Sequence, residues 1–230
     1  QRGDIAMYAA KRGKRRLTVY SDDLDSMGAE ALAVIAELRQ AVDAGALRLY
    51  YQPKVRMSSR TVSSVEALVR WEHPTRGLLA PAEFVPLAER SGMIGRLTVW
   101  VIDEAVRQCR AWADDGHYLT VAVNISQSSL LDPDVAAELR ASLERHSVPA
   151  SALEIEVTES ALTDDLVGAA DVLRELSSVG VRVSIDDYGT GYSSIAHLRA
   201  LPLQCIKIDR SYVAGMLGDA ASTSIVRSTL

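Results

Sequence analysis

Leu119-Thr120-Val121-Ala122-Val123-Asn124-Ile125-Ser126 is an apolar run that closes on polar residues, and the pattern returns down the chain. Leu153–Ser160, Val181–Asp187 and Cys205–Asp209 repeat it. Stretches with helical spacing lie between them: Pro133–His146, Asp164–Val179 and the short Ser193–Leu201. Near-continuous apolar strands alternating with helices predict a parallel sheet covered on both faces, either doubly wound or a barrel. Outward toward the N-terminus, Leu47–Met57 and Thr61–His73 are β-like and joined by Ser58-Ser59-Arg60, which predicts a hairpin. Glu30–Ala44 carries Leu32, Ile35, Leu38 and Val42 at helical spacing and stops at Gly45; Pro81–Arg90 and Leu97–Ala113 are further predicted helices. A last helix starts near Ser222. Residues 21–29 read as a linker rich in Ser, Asp and Gly, and residues 1–20 as a helix end with a short strand, too small to bury a core.

Composition removes several classes of function. Thirty acidic and 25 basic residues give a formal charge of −5, which argues against binding a nucleic acid polymer through a basic face. The longest stretch without a charged residue, Gly116–Leu131, holds His117, Asn124 and Gln127 and is no membrane span. Gln1–Arg16 is polar and basic, unlike a signal peptide. Cys109 and Cys205 make no disulfide framework, so a cytoplasmic setting is the simplest; a membrane tether upstream of this segment is compatible with it. Only four of the basic residues are lysines, Lys11, Lys14, Lys54 and Lys207, which makes a lysine in a special place worth checking.

The predicted strands carry polar residues toward their C-terminal ends: Glu66, Asn124, Glu156, the pair Asp186 and Asp187, and Lys207. In a parallel barrel those ends share the face where chemistry is placed. Taken singly, each residue suits a solvated strand face, a turn or a cap, and Glu154 and Glu159 fit that plainer reading. Together, carboxylates at ~5 Å repel by roughly 3 kcal/mol per pair at an effective dielectric of ~20. Divalent cations relieve that repulsion, and carboxylate and amide oxygens suit Mg²⁺, Mn²⁺ or Ca²⁺ rather than zinc. Adjacent Asp186 and Asp187 suggest two ions, the arrangement used for phosphodiester hydrolysis, with Lys207 orienting a water or neutralising developing charge.

These residues sit in ordered motifs: Tyr51-Gln52-Pro53-Lys54, Glu66-Ala67-Leu68-Val69-Arg70-Trp71, Asn124-Ile125-Ser126, Glu156-Val157-Thr158-Glu159-Ser160, Asp186-Asp187-Tyr188-Gly189-Thr190-Gly191-Tyr192-Ser193-Ser194 and Ile206-Lys207-Ile208-Asp209-Arg210. From about Glu30 to Leu230 the chain thereby resembles the EAL family of cyclic di-GMP phosphodiesterases. Residues 1–20, through Ala6-Met7-Tyr8-Ala9-Ala10-Lys11 and the basic run after it, resemble the C-terminal tail of a GGDEF (diguanylate cyclase) domain. The resemblance implies an α/β fold, a TIM-type barrel with an antiparallel first strand. It implies that Glu66, Asn124, Glu156 and Asp186 hold one Mg²⁺ or Mn²⁺, and that Asp186 and Asp187 reach a second. Lys207 would sit by the nucleophilic water, Gln52 and Arg70 would contact cyclic di-GMP, and Glu159 would brace the Tyr188–Ser194 loop. Glu66, Lys207 and Asp187 would carry catalysis, and the product would be linear pGpG.

The family's barrel continues with a seventh strand bearing a metal-binding Glu and an eighth bearing a Gln, so residues 30–230 are expected to supply strands 1–6 of an incomplete barrel. That sets an expectation of low stability or activity for this segment alone. The alternative is an inactive EAL-like sensor that binds cyclic di-GMP or a protein partner. A barrel glycosidase using two strand-end carboxylates fits the Asp-Asp pair and Asn124 poorly. An upstream GGDEF domain is the implied neighbour, and pairing with a second copy as a homodimer stays open.

Overall fold

A computed structural model describes residues 22–162, 165–190 and 201–229. The expected cyclase tail over 1–20 lies outside the described residues, as does the helix expected over Ser193–Leu201 apart from its last residue. Two compact units divide the chain: the described residues up to Arg48 with Trp71–Met93, and Leu49–Arg70 with everything from Ile94 onward.

The first unit centres on helix α1 (Asp22–Ala44) and helix α2 (Pro81–Arg90). Helix α1 takes in residues 22–29 of the span read as a linker. Once Glu30–Ala44 has nucleated, adding turns at its N-terminus costs little, and no proline interrupts them. Val34, Leu38 and Ala41 are buried, as are Phe84, Leu87 and Ala88 of α2. Trp71 meets Phe84 edge-on, ring centres 5.7 Å apart, and His73 beside it is tied through Nε2 to Glu37 at 2.9 Å. Proline at the first helical position of α2 and Glu83 reaching back to the Ala80 amide fix that helix's start.

Most of the sheet belongs to the second unit. Strands β1 (Leu47–Arg56) and β2 (Thr61–His73) neighbour each other across the turn 57–60, and a turn that short requires them to run antiparallel. Strand β3 (Gly77–Leu79) pairs with the far end of β2, Trp71–His73. Strands β4 (Thr120–Asn124), β5 (Leu153–Thr158), β6 (Arg182–Tyr188) and β7 (Cys205–Ile208) follow β2 in parallel, giving the order β1-β2-β4-β5-β6-β7. The crossovers are helix α3 (Ile94–Asp114), the single turn α4 (Gln127–Leu130) with α5 (Pro133–Arg145), and α6 (Leu166–Ser178). Helices α7 (Arg210–Gly215) and α8 (Ala220–Thr229) follow β7. Among the described residues, no helix is long and apolar enough to cross a membrane, and both cysteines are free.

Alternation along the strands sorts side chains by face. Val121, Val123, Leu153, Ile155, Val157, Val183 and Ile185 are fully buried odd-numbered positions, and α3, α5 and α6 bury Ile102, Ala105, Val106, Leu139, Ala169 and Leu173. The even-numbered positions 122, 124, 154, 156, 184 and 186 share the opposite face.

The sheet is curled. Lys207 on β7 and Glu66 on β2 stand four strand spacings apart, ~19 Å if the sheet were flat. Their side chains meet at 3.0 Å. Lys54 on β1 likewise reaches Glu156 on β5, at 2.6 Å. Curling of this degree is what a barrel wall requires. The sheet is not closed among the described residues, where β1 and β7 are its ends.

Candidate active site

Register brings the polar residues together. Glu66 lies opposite Ala122, Asn124 opposite Glu156, and Glu156 opposite Ser184, so each successive site residue is level with its neighbour or two positions further along. Steps of two preserve the face, and they follow the stagger of a tilted barrel wall. Glu66 was expected near the end of its strand but sits in the middle of β2. Only Ser64–Ala67 join the parallel ladder with β4 before β2 turns to β3, so Glu66 stands one residue before the end of the parallel part of the strand.

Glu66, Glu156 and Asp186 each place a carboxylate oxygen within 4.8 Å of the others. Lys207 Nζ donates to all three, at 3.0 Å to Glu66 Oε2, 2.6 Å to Glu156 Oε2 and 2.7 Å to Asp186 Oδ2. Asn124 Nδ2 donates to Glu66 Oε1 at 2.9 Å, which leaves the amide oxygen as a further donor atom for a cation. The Asp187 backbone N–H holds the other oxygen of Asp186, at 2.9 Å.

Glu156 is fully buried, and burial pushes its carboxyl above the usual range against the pull of Lys207 and Lys54; Glu66 adds to the rise. For Lys207 burial works against the charge, but the hydrogen bonds to Asp186 and Glu156 and the charge of Glu66 outweigh it. Its ammonium is held above the ordinary lysine value.

Asp187, expected beside Asp186 at a second cation, lies outside the three-carboxylate group. The β6–β7 register shifts between Ile185 and Tyr188, and Asp187 adopts φ +54°, so the backbone leaves regular strand geometry at this residue. It meets Asp209 as well; burial, then the charges of Asp186 and Asp209, raise its carboxyl.

Glu159, for which a plain solvated role was one reading, is buried, and its Oε2 accepts the Gly189 amide at 2.9 Å. Gly189 has φ +102°, and a Cβ there would stand 2.8 Å from Tyr212 Cε2. Tyr212 in turn donates its hydroxyl to the Gly189 carbonyl at 2.5 Å. The start of the Tyr188–Ser194 loop is therefore pinned from both sides; residues 191–194 lie outside the described residues.

Gln52 is exposed on β1. Arg70 is half-buried, its guanidinium donating to the Val69 carbonyl at 2.8 Å and resting 5.9 Å from the Tyr50 ring centre.

Two residues escaped the sequence reading. Lys54 bridges Glu156 Oε1 at 2.6 Å and Glu154 Oε1 at 3.4 Å, and Glu154 is buried rather than solvated. The signals were present: Lys54 is one of four lysines, and Glu154 and Glu156 alternate onto one face of β5. With every group ionised, Glu66, Glu154, Glu156 and Asp186 against Lys54 and Lys207 leave two negative charges uncompensated. All-oxygen donors and that deficit fit a hard divalent cation.

The EAL domain family model matches residues 35–230. The chain is 41% identical over 225 residues to the Bifunctional diguanylate cyclase/cyclic di-GMP phosphodiesterase MucR of Pseudomonas aeruginosa, covering 97% of this chain and 33% of that protein. It is 38% identical over 226 residues to the Cyclic di-GMP phosphodiesterase PdeR of Escherichia coli, covering 98% and 34% respectively. The chain thus spans about a third of the length of these curated relatives. Among solved structures, the PaMucR phosphodiesterase in complex with c-di-GMP superposes with a TM-score of 0.81 at 43% identity, covering 85% of this chain and 80% of that one. The Xanthomonas citri FimX EAL domain, at 23% identity and a TM-score of 0.81, covering 89% and 80%, shares the fold.

Proposed function

The chain belongs to the EAL domain family, and from that premise we propose that it hydrolyses one phosphodiester of cyclic di-GMP to give linear pGpG. The observation that carries the reading is the meeting of Glu66, Glu156 and Asp186 oxygens within 4.8 Å of one another around Lys207. Glu66, Asn124, Glu156 and Asp186 would hold one Mg²⁺ or Mn²⁺; Asp186 and Asp187 would serve a second. A divalent cation bound there supplies an activated water and neutralises charge building on the phosphate.

The protein's own residues do the rest. Lys207 Nζ, kept charged by its three carboxylates, orients the attacking water and offsets charge on the phosphate oxygens. Arg70, braced by Val69 and Tyr50, presents a planar donor set suited to a phosphate. Gln52 sits on β1 to contact the nucleotide. Glu159 holds the Gly189 amide and so fixes the end of β6 that carries Asp186 and Asp187. Residues 1–20 are read as the tail of a GGDEF domain, in keeping with a relative named for both activities.

The test is turnover of cyclic di-GMP with Mn²⁺ or Mg²⁺, followed by chromatography of the nucleotides. pGpG is expected from the wild type, and Glu66→Ala is expected to lose more than ~100-fold in rate, beyond the ordinary cost of losing an outer-shell partner. A Glu66→Ala protein hydrolysing at the wild-type rate removes Glu66 from the site. Tight binding of cyclic di-GMP without turnover by the wild type assigns the protein to sensing instead.

A further inference from the structure

The reaction proposed above gives no task to Lys54, yet Lys54 makes one of the shortest polar contacts in the site. Its stem leaves β1, the antiparallel strand, and its ammonium crosses the inner face to β5. There Nζ lies 2.6 Å from Glu156 Oε1 and 3.4 Å from Glu154 Oε1, while Glu156 Oε2 shares the Lys207 ammonium with Glu66 and Asp186. We infer that Lys54 is a positioning residue: together with Glu154 it fixes one oxygen of Glu156 so that the other is presented to the cation centre. The inference rests on the reading of Glu66, Glu156 and Asp186 as a divalent-cation site.

The physical argument concerns the carboxylate torsion. The last torsion of a glutamate is broad and roughly two-fold, so packing alone does not hold the plane of its oxygens. Glu156 is fully buried, and a buried carboxylate oxygen without a partner is costly. Lys54 gives Oε1 a charge-assisted bond, and Glu154 anchors the ammonium from the other side, so the three side chains lock one another. Cation ligands are commonly oriented by such outer partners, whose loss weakens metal affinity by about 10- to 100-fold. Lys54 is the only member of the cluster contributed by β1; the hairpin strand therefore takes part in the site without supplying a cation ligand.

The experiment is Mn²⁺ titration of the protein followed by electron paramagnetic resonance of the free ion, with circular dichroism to confirm the fold. Wild-type protein is expected to bind Mn²⁺, Lys54→Met to bind it about 10- to 100-fold more weakly, and Lys54→Arg to fall between them. Raising Mn²⁺ should restore cyclic di-GMP hydrolysis in Lys54→Met with the KM for nucleotide unchanged, a rescue that a merely structural defect would not show. If Lys54→Met fails to fold, Lys54→Arg and Glu154→Gln carry the test, since both leave Glu156 a counter-charge; each should bind Mn²⁺ several-fold more weakly. Unchanged affinity in the folded variants overturns the role of Lys54. Absence of Mn²⁺ binding by the wild type overturns the cation site itself, which separates the two failures.

Discussion

Both oxygens of Glu156 are committed, one to Lys54 and one to Lys207, and each lysine carries a second carboxylate partner. Buried charges persist only when paired in this way. The network also explains why two lysines belong among the acids: without them four carboxylates would share one face with no counter-charge. Arg70 differs, since its bonds to Val69 and Tyr50 leave it outside that network. Arg70→Ala should therefore leave Mn²⁺ affinity unchanged while raising the KM for cyclic di-GMP by about 10-fold, the cost of one charge-assisted hydrogen bond. Steady-state kinetics at saturating Mn²⁺ check this; an unchanged KM would reassign Arg70 to holding β2 against β1.

Among the elements, α3 and α5 are joined by a polar clamp as well as by their apolar faces. Asp103 of α3 accepts from Ser142 Oγ at 2.9 Å, from His146 Nε2 at 3.1 Å, and from Arg145. Burial opposes its charge, but the bonds from Ser142 and His146 and the charges of His146 and Arg145 prevail and hold the carboxyl below its usual 3.8. A carboxyl with a folded value below its unfolded one stabilises the fold above about pH 4 and loses that contribution as the pH falls through the folded value. Asp103 is more than a third exposed, so solvent screening limits the effect to about 1 kcal/mol or less. Asp103→Asn should accordingly lower stability at pH 7, and the gap to wild type should close at an acid pH below the carboxyl's lowered folded value. Urea unfolding at both pH values would decide it; a gap that widened in acid would contradict the clamp.

At the scale of the whole molecule, the sheet brings distant parts of the sequence to one centre, and a cation bound there would tie β2, β5 and β6 together. Binding to the folded state alone stabilises it by about 2.7 kcal/mol at 100 times the dissociation constant. For a chain of this size that corresponds to a rise in Tm of about 5–10 °C. Thermal unfolding with Mn²⁺ and then with EDTA should show this rise and its reversal, and Glu66→Ala should show neither. The sequence by itself determined the alternation of strand and helix, the hairpin ahead of it, the placing of Asn124, Glu156 and Asp186 toward the ends of their strands, and the family. Those follow from local periodicity and motif spacing, which neighbouring residues carry among themselves. Tertiary structure alone decided that Lys54 reaches Glu156, that Glu154 is buried beside it, and that Asp187 comes to face Asp209. Curling of the sheet sets the first two and a register shift between β6 and β7 sets the third, and both depend on how strands separated in sequence pair and tilt.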